Sequence, residues 1–220
     1  MGTRTIAELR IAAPAARVWN ALREPREIKR WFGWEHGGLD AEVEFIFGSD
    51  AEVVEEGRRL RFSGVDTTVT ISGLGAGSSL RVTKPADGSD ALPYDEVEAG
   101  WITFLQQLRF ALERHPEEAR RTVYLAATAA RAPLDAFEPL GGCAIGSRYE
   151  LTAAEKIAGE LWFEHENQFG LTVDEAGDGL LIVARNPQAA TASAILTTYG
   201  LDDDAFEWLR ARWTEWWKAV

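Results

Sequence analysis

The sequence predicts an α+β protein in which an antiparallel sheet wraps around a long C-terminal helix, and it predicts this plan twice along the chain. Short segments with alternating apolar residues are separated by glycine-containing turns, as in an antiparallel meander. A long amphipathic segment follows each set of such segments. A short polar break, His115 to Glu118, separates the two halves. We therefore expect two domains, residues 1–115 and 120–220.

Composition narrows the classes of partner. The chain has 220 residues and a formal charge of −12, from 35 acidic and 23 basic residues. Such a charge repels nucleic-acid phosphates and anionic bilayers, so we expect neither as a partner. The single cysteine, Cys143, and the histidines His36, His115 and His165 show no metal-ligand spacing. No signal-peptide pattern is present, so we expect a cytoplasmic protein without a metal or cofactor.

The first half reads as a strand, two short helices, a meander and a long helix. The strand is Thr5 to Ile11, and the short helices lie at 15–22 and 26–32. Alternation of Val43, Phe45 and Phe47 predicts a strand at 42–47, and similar alternation predicts strands at 58–63, 67–72 and 79–83. The long helix is predicted from about Tyr94 to Glu113. Its apolar stripe, which should cover the sheet, consists of Val97, Trp101, Phe104, Leu105, Leu108 and Leu112.

The second half repeats this order of elements. Its predicted elements are a strand at Thr122 to Ala129, a short helix at Pro133 to Phe137, and strands at 148–151, 159–173, 180–185 and 194–199. A helix from Asp202 to Val220 follows, and the acidic side chains at 202–204 suit the positive end of its first turn. Its apolar stripe consists of Phe206, Leu209, Trp213, either Trp216 or Trp217, and Val220. The alternative is one enlarged domain in which the second half packs against the first.

Three segments carry a resemblance to a known family. They are APAARVWNALREPREIKRWFGWE (13–35), AEVVEEGRRLRF (51–62) and the helix entry EAGWITFLQQLRFALE (98–113). Together they resemble the activator-of-heat-shock-protein-90-ATPase homologue group of the START-like, or SRPBCC, polyketide-cyclase superfamily. The resemblance implies a helix-grip fold, with a seven-stranded sheet gripping a C-terminal helix around a cavity. The second half then reads as a degenerate second START-like domain.

The chain departs from the family pattern before the third strand. Only about six strands are predicted ahead of the first long helix, and Phe47-Gly48-Ser49 replaces the usual glycine pair. We therefore expect a shortened or missing hairpin. A sheet with fewer strands curls less and encloses a smaller volume.

The candidate site is an apolar cavity between sheet and helix in the first half. Its predicted lining consists of Trp31, Phe32, Trp34, Phe45, Phe62, Trp101, Phe104 and Leu108. Candidate polar anchors are Glu35 and His36 in the loop after the second short helix, and His165 in the second half. His165 alternates with Leu161 and Phe163, so it should face the covered side of its sheet.

Three functions follow from these features. The leading one is binding of a small apolar or aromatic ligand without catalysis. The second, implied by the resemblance, is contact with a chaperone. The third, implied by the breadth of the superfamily, is a cyclase- or hydrolase-like reaction with His165 or Glu35 as acid or base.

Overall fold

A computed structural model describes residues 2–86 and 95–218. The chain divides into two compact units, residues 1–117 and 118–220. Each unit has its own antiparallel sheet, and each ends in a long helix. The predicted α+β class is thereby confirmed. The predicted helix start at Tyr94 and helix end at Val220 lie outside the described residues.

The first unit contains a five-stranded sheet in the order β1-β5-β4-β3-β2. Its elements are β1 (Thr3–Ile11), α1 (Ala15–Arg23), α2 (Pro25–Ile28), α3 (Leu39–Val43), a π-helix (Glu44–Asp50), β2 (Ala51–Glu55), β3 (Arg59–Phe62), a 3-10 turn (Ser63–Val65), β4 (Thr67–Leu74), β5 (Gly77–Pro85) and α4 (Glu96–Arg114). The first strand therefore lies beside the last, and the remaining strands form a meander.

Local chemistry fixes the long helix α4 against this sheet. The Asp95 carboxylate caps its first turn, accepting hydrogen bonds from the backbone N–H of Val97 at 2.9 Å and of Glu98 at 3.3 Å. Four positions of the predicted stripe are buried in the same apolar cluster as β3, β4 and β5, namely Trp101, Leu105, Leu108 and Leu112. Their helical spacing gives α4 one continuous buried face.

The predicted strand at 42–47 is wrong, because this segment is helical. It belongs to α3 and to the π-helix that continues it. Leu39, Val43 and Phe47, which are spaced by four residues, are all buried, whereas Phe45 is 67% exposed. The apolar residues of this segment fit both the two-residue repeat of a strand and the repeat of about four residues of a helix. The buried side chains follow the helical repeat. The sheet has five strands instead of the expected count of about six, and one of the five, β2 (Ala51–Glu55), was not among the predicted strands.

The second unit contains a six-stranded sheet in the order β6-β11-β10-β9-β8-β7. Its elements are β6 (Arg120–Thr128), a 3-10 segment (Leu134–Leu140), β7 (Arg148–Thr152), β8 (Lys156–His165), β9 (Gln168–Val173), a 3-10 turn (Asp174–Ala176), β10 (Gly179–Asn186), β11 (Thr191–Tyr199) and α5 (Asp203–Lys218). Here too the first strand lies beside the last.

The predicted strand at 159–173 is two strands joined by a tight turn. Glu166 and Asn167 form the turn, and His165 pairs with Gln168 across it. The apolar pattern continues through both strands, and the two turn residues carry no glycine or proline to mark the reversal. His165 is exposed at this turn, so its predicted position on the covered face is wrong.

The helix α5 covers one face of the second sheet. The Asp202 carboxylate accepts a hydrogen bond of 2.8 Å from the backbone N–H of Ala205, which caps the helix as its sequence predicts. Its buried side chains are Phe206, Leu209, Trp213 and Trp217. Among residues 2–86 and 95–218, no helix is long and apolar enough to cross a bilayer.

Candidate functional site

The predicted lining residues of the first unit form a cluster of rings in contact. Phe32 lies 4.8 Å from Phe104 and 5.1 Å from Phe47, and Phe62 lies 5.5 Å from Phe47 and 5.2 Å from Trp101, measured between ring centroids. All four pairs are edge-to-face, the geometry that aromatic quadrupoles favour. These side chains meet one another and act as a packed core.

The remaining predicted lining residues fall into three environments. Trp31 is buried, and its indole N–H donates a hydrogen bond of 2.8 Å to the carbonyl oxygen of Ala21. Leu108 is also buried. Trp34 is half-buried. Phe45 points to solvent, because its segment is helical and this register turns Phe47 into the core instead. The assignment of Phe45 to the lining is therefore wrong.

The three predicted polar anchors lie on the surface. Glu35 and His36 are exposed. The Nδ1 of His36 accepts a hydrogen bond of 3.1 Å from the N–H of Gly38, and its Nε2 lies 3.0 Å from a carboxylate oxygen of Glu42. These contacts place His36 in the turn that begins α3. With His165 exposed at its hairpin, none of the three side chains is buried against a core.

A buried amide that the sequence did not single out holds the loop after α2. Gln107 on α4 is buried, and its side-chain N–H donates a hydrogen bond of 3.3 Å to the carbonyl oxygen of Gly33. A polar residue next to an apolar helical stripe is the signal that marks it.

One small cavity of the first unit is bounded by charged groups. Its volume is about 10 Å³, and it is lined by Arg17, Ala21, Glu27, Arg30, Trp31, Ala111 and Leu112. The Glu27 carboxylate lies 2.7 Å from the Arg17 guanidinium and 3.3 Å from that of Arg30. The volume admits about one water molecule, so this cavity holds no organic ligand.

The second unit carries a much larger concave site. It is a cleft of about 570 Å³, within the range typical of small-molecule sites. The turn after β6, the 3-10 segment and the end of β10 form its walls. The lining residues are Ala129, Ala130, Ala132, Pro133, Leu134, Asp135, Ala136, Glu138 and Arg185.

Short side chains account for the space in the cleft. Four of the nine lining residues are alanines, whose methyl groups cannot fill the volume between the turn and the sheet. Phe137 in the segment 134–140 is buried, and its ring centroid lies 5.4 Å from that of Phe169 and 6.2 Å from that of Trp216. These ring contacts anchor the segment that forms one wall of the cleft.

Three charged side chains line the apolar walls. Asp135, Glu138 and Arg185 are all exposed, and within the described part of the chain none of them takes part in an ion pair. Their charges are thus available to a ligand's polar groups. Sequence reasoning missed this site, although the alanine-rich stretch from Ala129 to Pro133 marks its wall.

Titratable groups with shifted pKa values lie outside the cleft and have structural partners. Burial raises the pKa of Tyr149, and the nearby Glu175 and Asp174 carboxylates raise it further. The Tyr149 hydroxyl donates a hydrogen bond of 2.6 Å to the carbonyl oxygen of Thr172 and stays protonated. No group of three or more His, Cys, Asp or Glu side chains in the described ranges is placed to hold a metal ion.

Fold and cleft together define an α+β protein with two compact units, an antiparallel sheet in each unit, and an open cleft in the second. No family model and no curated protein matches the chain. Among solved structures, it is similar to DynU16, a protein of the dynemicin biosynthetic locus, with 19% identity and a TM-score of 0.35 over 99% of this chain and 95% of that one. It is also similar to protein CV1439 from Chromobacterium violaceum, with 22% identity and a TM-score of 0.33 over 51% of this chain and 98% of that one. Both TM-scores are low, so the description of the fold rests on the strand order and packing of this chain.

Proposed function

We propose that the protein binds a small, mainly apolar molecule in the cleft of its second unit. The main support for this proposal is the cleft itself, which has a volume of about 570 Å³ and walls that include alanine, proline and leucine side chains. The predicted site in the first unit is instead occupied by aromatic rings in mutual contact. The proposal therefore keeps the expected function and moves the site from the first unit to the second.

We further propose that both units are degenerate helix-grip domains of the START-like type, arranged in tandem. Both sheets place the first strand beside the last. Both insert a 3-10 turn before the last two strands, ending in a left-handed residue, Asp66 in one unit and Gly177 in the other. Both long helices begin at a capping aspartate, Asp95 or Asp202. These shared details support a repeated plan.

Apolar burial supplies the binding energy in this proposal. Each 100 Å² of apolar surface that a ligand buries there gains roughly 2.5 kcal/mol at about 25 cal/mol per Å². Loss of rotational and translational freedom offsets part of that gain. Asp135, Glu138 and Arg185 orient the polar end of the ligand, so a molecule with an apolar body and one polar end is favoured over a pure hydrocarbon.

The enzymatic alternative loses the two residues on which it depended. It required His165 or Glu35 inside a cavity, where a side chain can reach an enclosed substrate. Both side chains are exposed. The proposed activity is therefore binding.

A fluorescence titration with 8-anilinonaphthalene-1-sulfonate, an amphiphilic probe with an apolar body and an anionic sulfonate, tests the site. We expect saturable binding to the wild-type protein and at least tenfold weaker binding to Ala130→Trp, whose indole would fill the cleft. Ala205→Trp, at an exposed helical position that does not line the cleft, is the matched control and should bind like the wild type. Equal binding by Ala130→Trp and the wild type would place the probe elsewhere and contradict the proposal.

A further inference from the structure

Charged side chains of both signs line the cleft of the second unit without neutralising one another. Arg185 is cationic, and Asp135 and Glu138 are anionic. All three are exposed, and none of them forms an ion pair or a side-chain hydrogen bond with another described residue. A guanidinium and a carboxylate in contact satisfy one another's hydrogen-bonding groups. In the cleft, both kinds of group keep that capacity for a ligand.

The register of the second sheet places Arg185 at the end of an otherwise buried row. Alternate residues of β10, Leu181, Val183 and Arg185, share one face of the strand, and the first two belong to the same buried cluster as the inner face of α5. Arg185 pairs with Ala192 of β11, and Ala192 pairs with Ala127 of β6. Paired residues lie on the same face of a sheet. The two methyl groups therefore leave space beside the guanidinium.

The 3-10 segment sets the two carboxylates on one side of its helix. Residues three apart eclipse one another in a 3-10 helix, so Asp135 and Glu138 share a side. By the same spacing Leu134, Phe137 and Leu140 share another side, and all three are buried. Burial of that side fixes the rotation of the segment, which presents Asp135 and Glu138 together to the cleft.

A ligand with a single charge does not suit this lining. An anion that binds Arg185 would share the cleft with two carboxylates of its own sign, and a cation that binds the carboxylates would share it with the guanidinium. Like charges brought together in one site raise the free energy of the complex. A ligand that carries both charges replaces each of these repulsions with an attraction.

We propose that the cleft selects a zwitterionic ligand, with an apolar body and a polar end that carries an ammonium and a carboxylate, as in an apolar amino acid. The Arg185 guanidinium binds the carboxylate, whose two oxygens match its parallel N–H donors. Asp135 and Glu138 accept hydrogen bonds from the ammonium, which has three donors. The apolar body lies on the alanine, proline and leucine walls. This choice of ligand class rests on the proposed function, binding of a small molecule in the cleft.

Three compounds that share one apolar body test this selection. Free phenylalanine carries both charges, phenylethylamine carries only the ammonium, and phenylpropionate carries only the carboxylate. By isothermal titration calorimetry of the full chain at neutral pH, we expect phenylalanine to bind about tenfold or more tightly than either of the others. Ala130→Trp should abolish the binding of phenylalanine, and Ala205→Trp should bind it like the wild type.

Charge variants assign each half of the polar end to its partner. Arg185→Gln should weaken phenylalanine and phenylpropionate about tenfold and leave phenylethylamine unchanged. Asp135→Asn/Glu138→Gln should weaken phenylalanine and phenylethylamine and leave phenylpropionate no weaker. Arg10→Gln, at an exposed position of the first unit, changes the overall charge as Arg185→Gln does and should leave all three affinities unchanged.

The outcomes separate the ligand class from the site itself. Equal binding of the three compounds, or charge variants that weaken all three alike, would overturn the zwitterionic ligand and leave the cleft as a binding site. The same holds if none of the three binds while 8-anilinonaphthalene-1-sulfonate binds the wild type and not Ala130→Trp. Binding of that probe to neither protein, or to both equally, would overturn the cleft and the ligand class together.

Discussion

The ring of Phe32 lies edge-on to the ring of Phe104, with their centroids 4.8 Å apart. Phe32 follows the short helix α2 and Phe104 belongs to α4, so the pair joins the segment after α2 to the long helix. Both residues belong to the predicted cavity lining, and their contact shows how that lining closes into a core.

Removal of the Phe32 ring should destabilise the first unit. Phe32→Ala deletes a buried ring that also contacts Trp31 and Phe47, so we expect a loss of about 3–5 kcal/mol in the free energy of unfolding, measured by urea titration. Trp34→Ala, at a half-buried position, should cost clearly less. A loss below about 1 kcal/mol for Phe32→Ala would mean that the ring lines empty space.

The helical register of residues 39–50 predicts opposite effects at two neighbouring phenylalanines. Phe47→Ala should cost about 3–5 kcal/mol, because its ring packs on Trp31, Phe32 and Phe62. Phe45→Ala should change the free energy of unfolding by less than about 0.5 kcal/mol, because this ring is exposed. Similar losses at both positions in thermal and urea unfolding would favour the strand register instead.

Burial of Tyr149 predicts a decline in stability at alkaline pH. The folded state holds the phenolic proton because burial raises the pKa, whereas the unfolded chain releases it near pH 10. The native state therefore binds more protons above about pH 10, and stability falls as the pH rises beyond that value. Urea unfolding between pH 8 and 11 should show a steeper decline for the wild type than for Tyr149→Phe.

The same substitution has a separate effect at neutral pH. Tyr149→Phe removes the hydrogen bond to the carbonyl oxygen of Thr172 and leaves a buried acceptor, which should cost about 1–2 kcal/mol. Tyr124→Phe, at an exposed position, is the control and should cost little. Parallel pH profiles for the wild type and Tyr149→Phe would show that Tyr149 ionises equally in both states.

The sequence predicts correctly those elements whose hydrophobic periodicity fits only one type of secondary structure. The alternation of β4 and β5 and the stripe of α4 were predicted, as was the cap of α5, because local pattern and tertiary burial agree there. It failed at Val43 to Phe47, where two periods fit the same residues, and at His165, where a turn without glycine reversed the chain.

The candidate site was beyond local reasoning for a different reason. Whether Phe32, Phe62 and Trp101 line a space or fill it depends on how far apart their helices and strands settle, which no short pattern encodes. The cleft is formed by residues 129–138 together with Arg185, which are far apart in sequence, and it exists because small side chains meet there. The volume of the cleft therefore depends on how the whole unit folds and not on any short segment of its sequence.

Native mass spectrometry of freshly purified protein tests whether a small molecule occupies the cleft of the second unit. We expect a bound small-molecule adduct on the wild-type chain and on Ala205→Trp, and its loss from Ala130→Trp, whose indole would occupy the cleft. An adduct that persists in Ala130→Trp would contradict the proposed site, because the ligand would then lie outside the cleft.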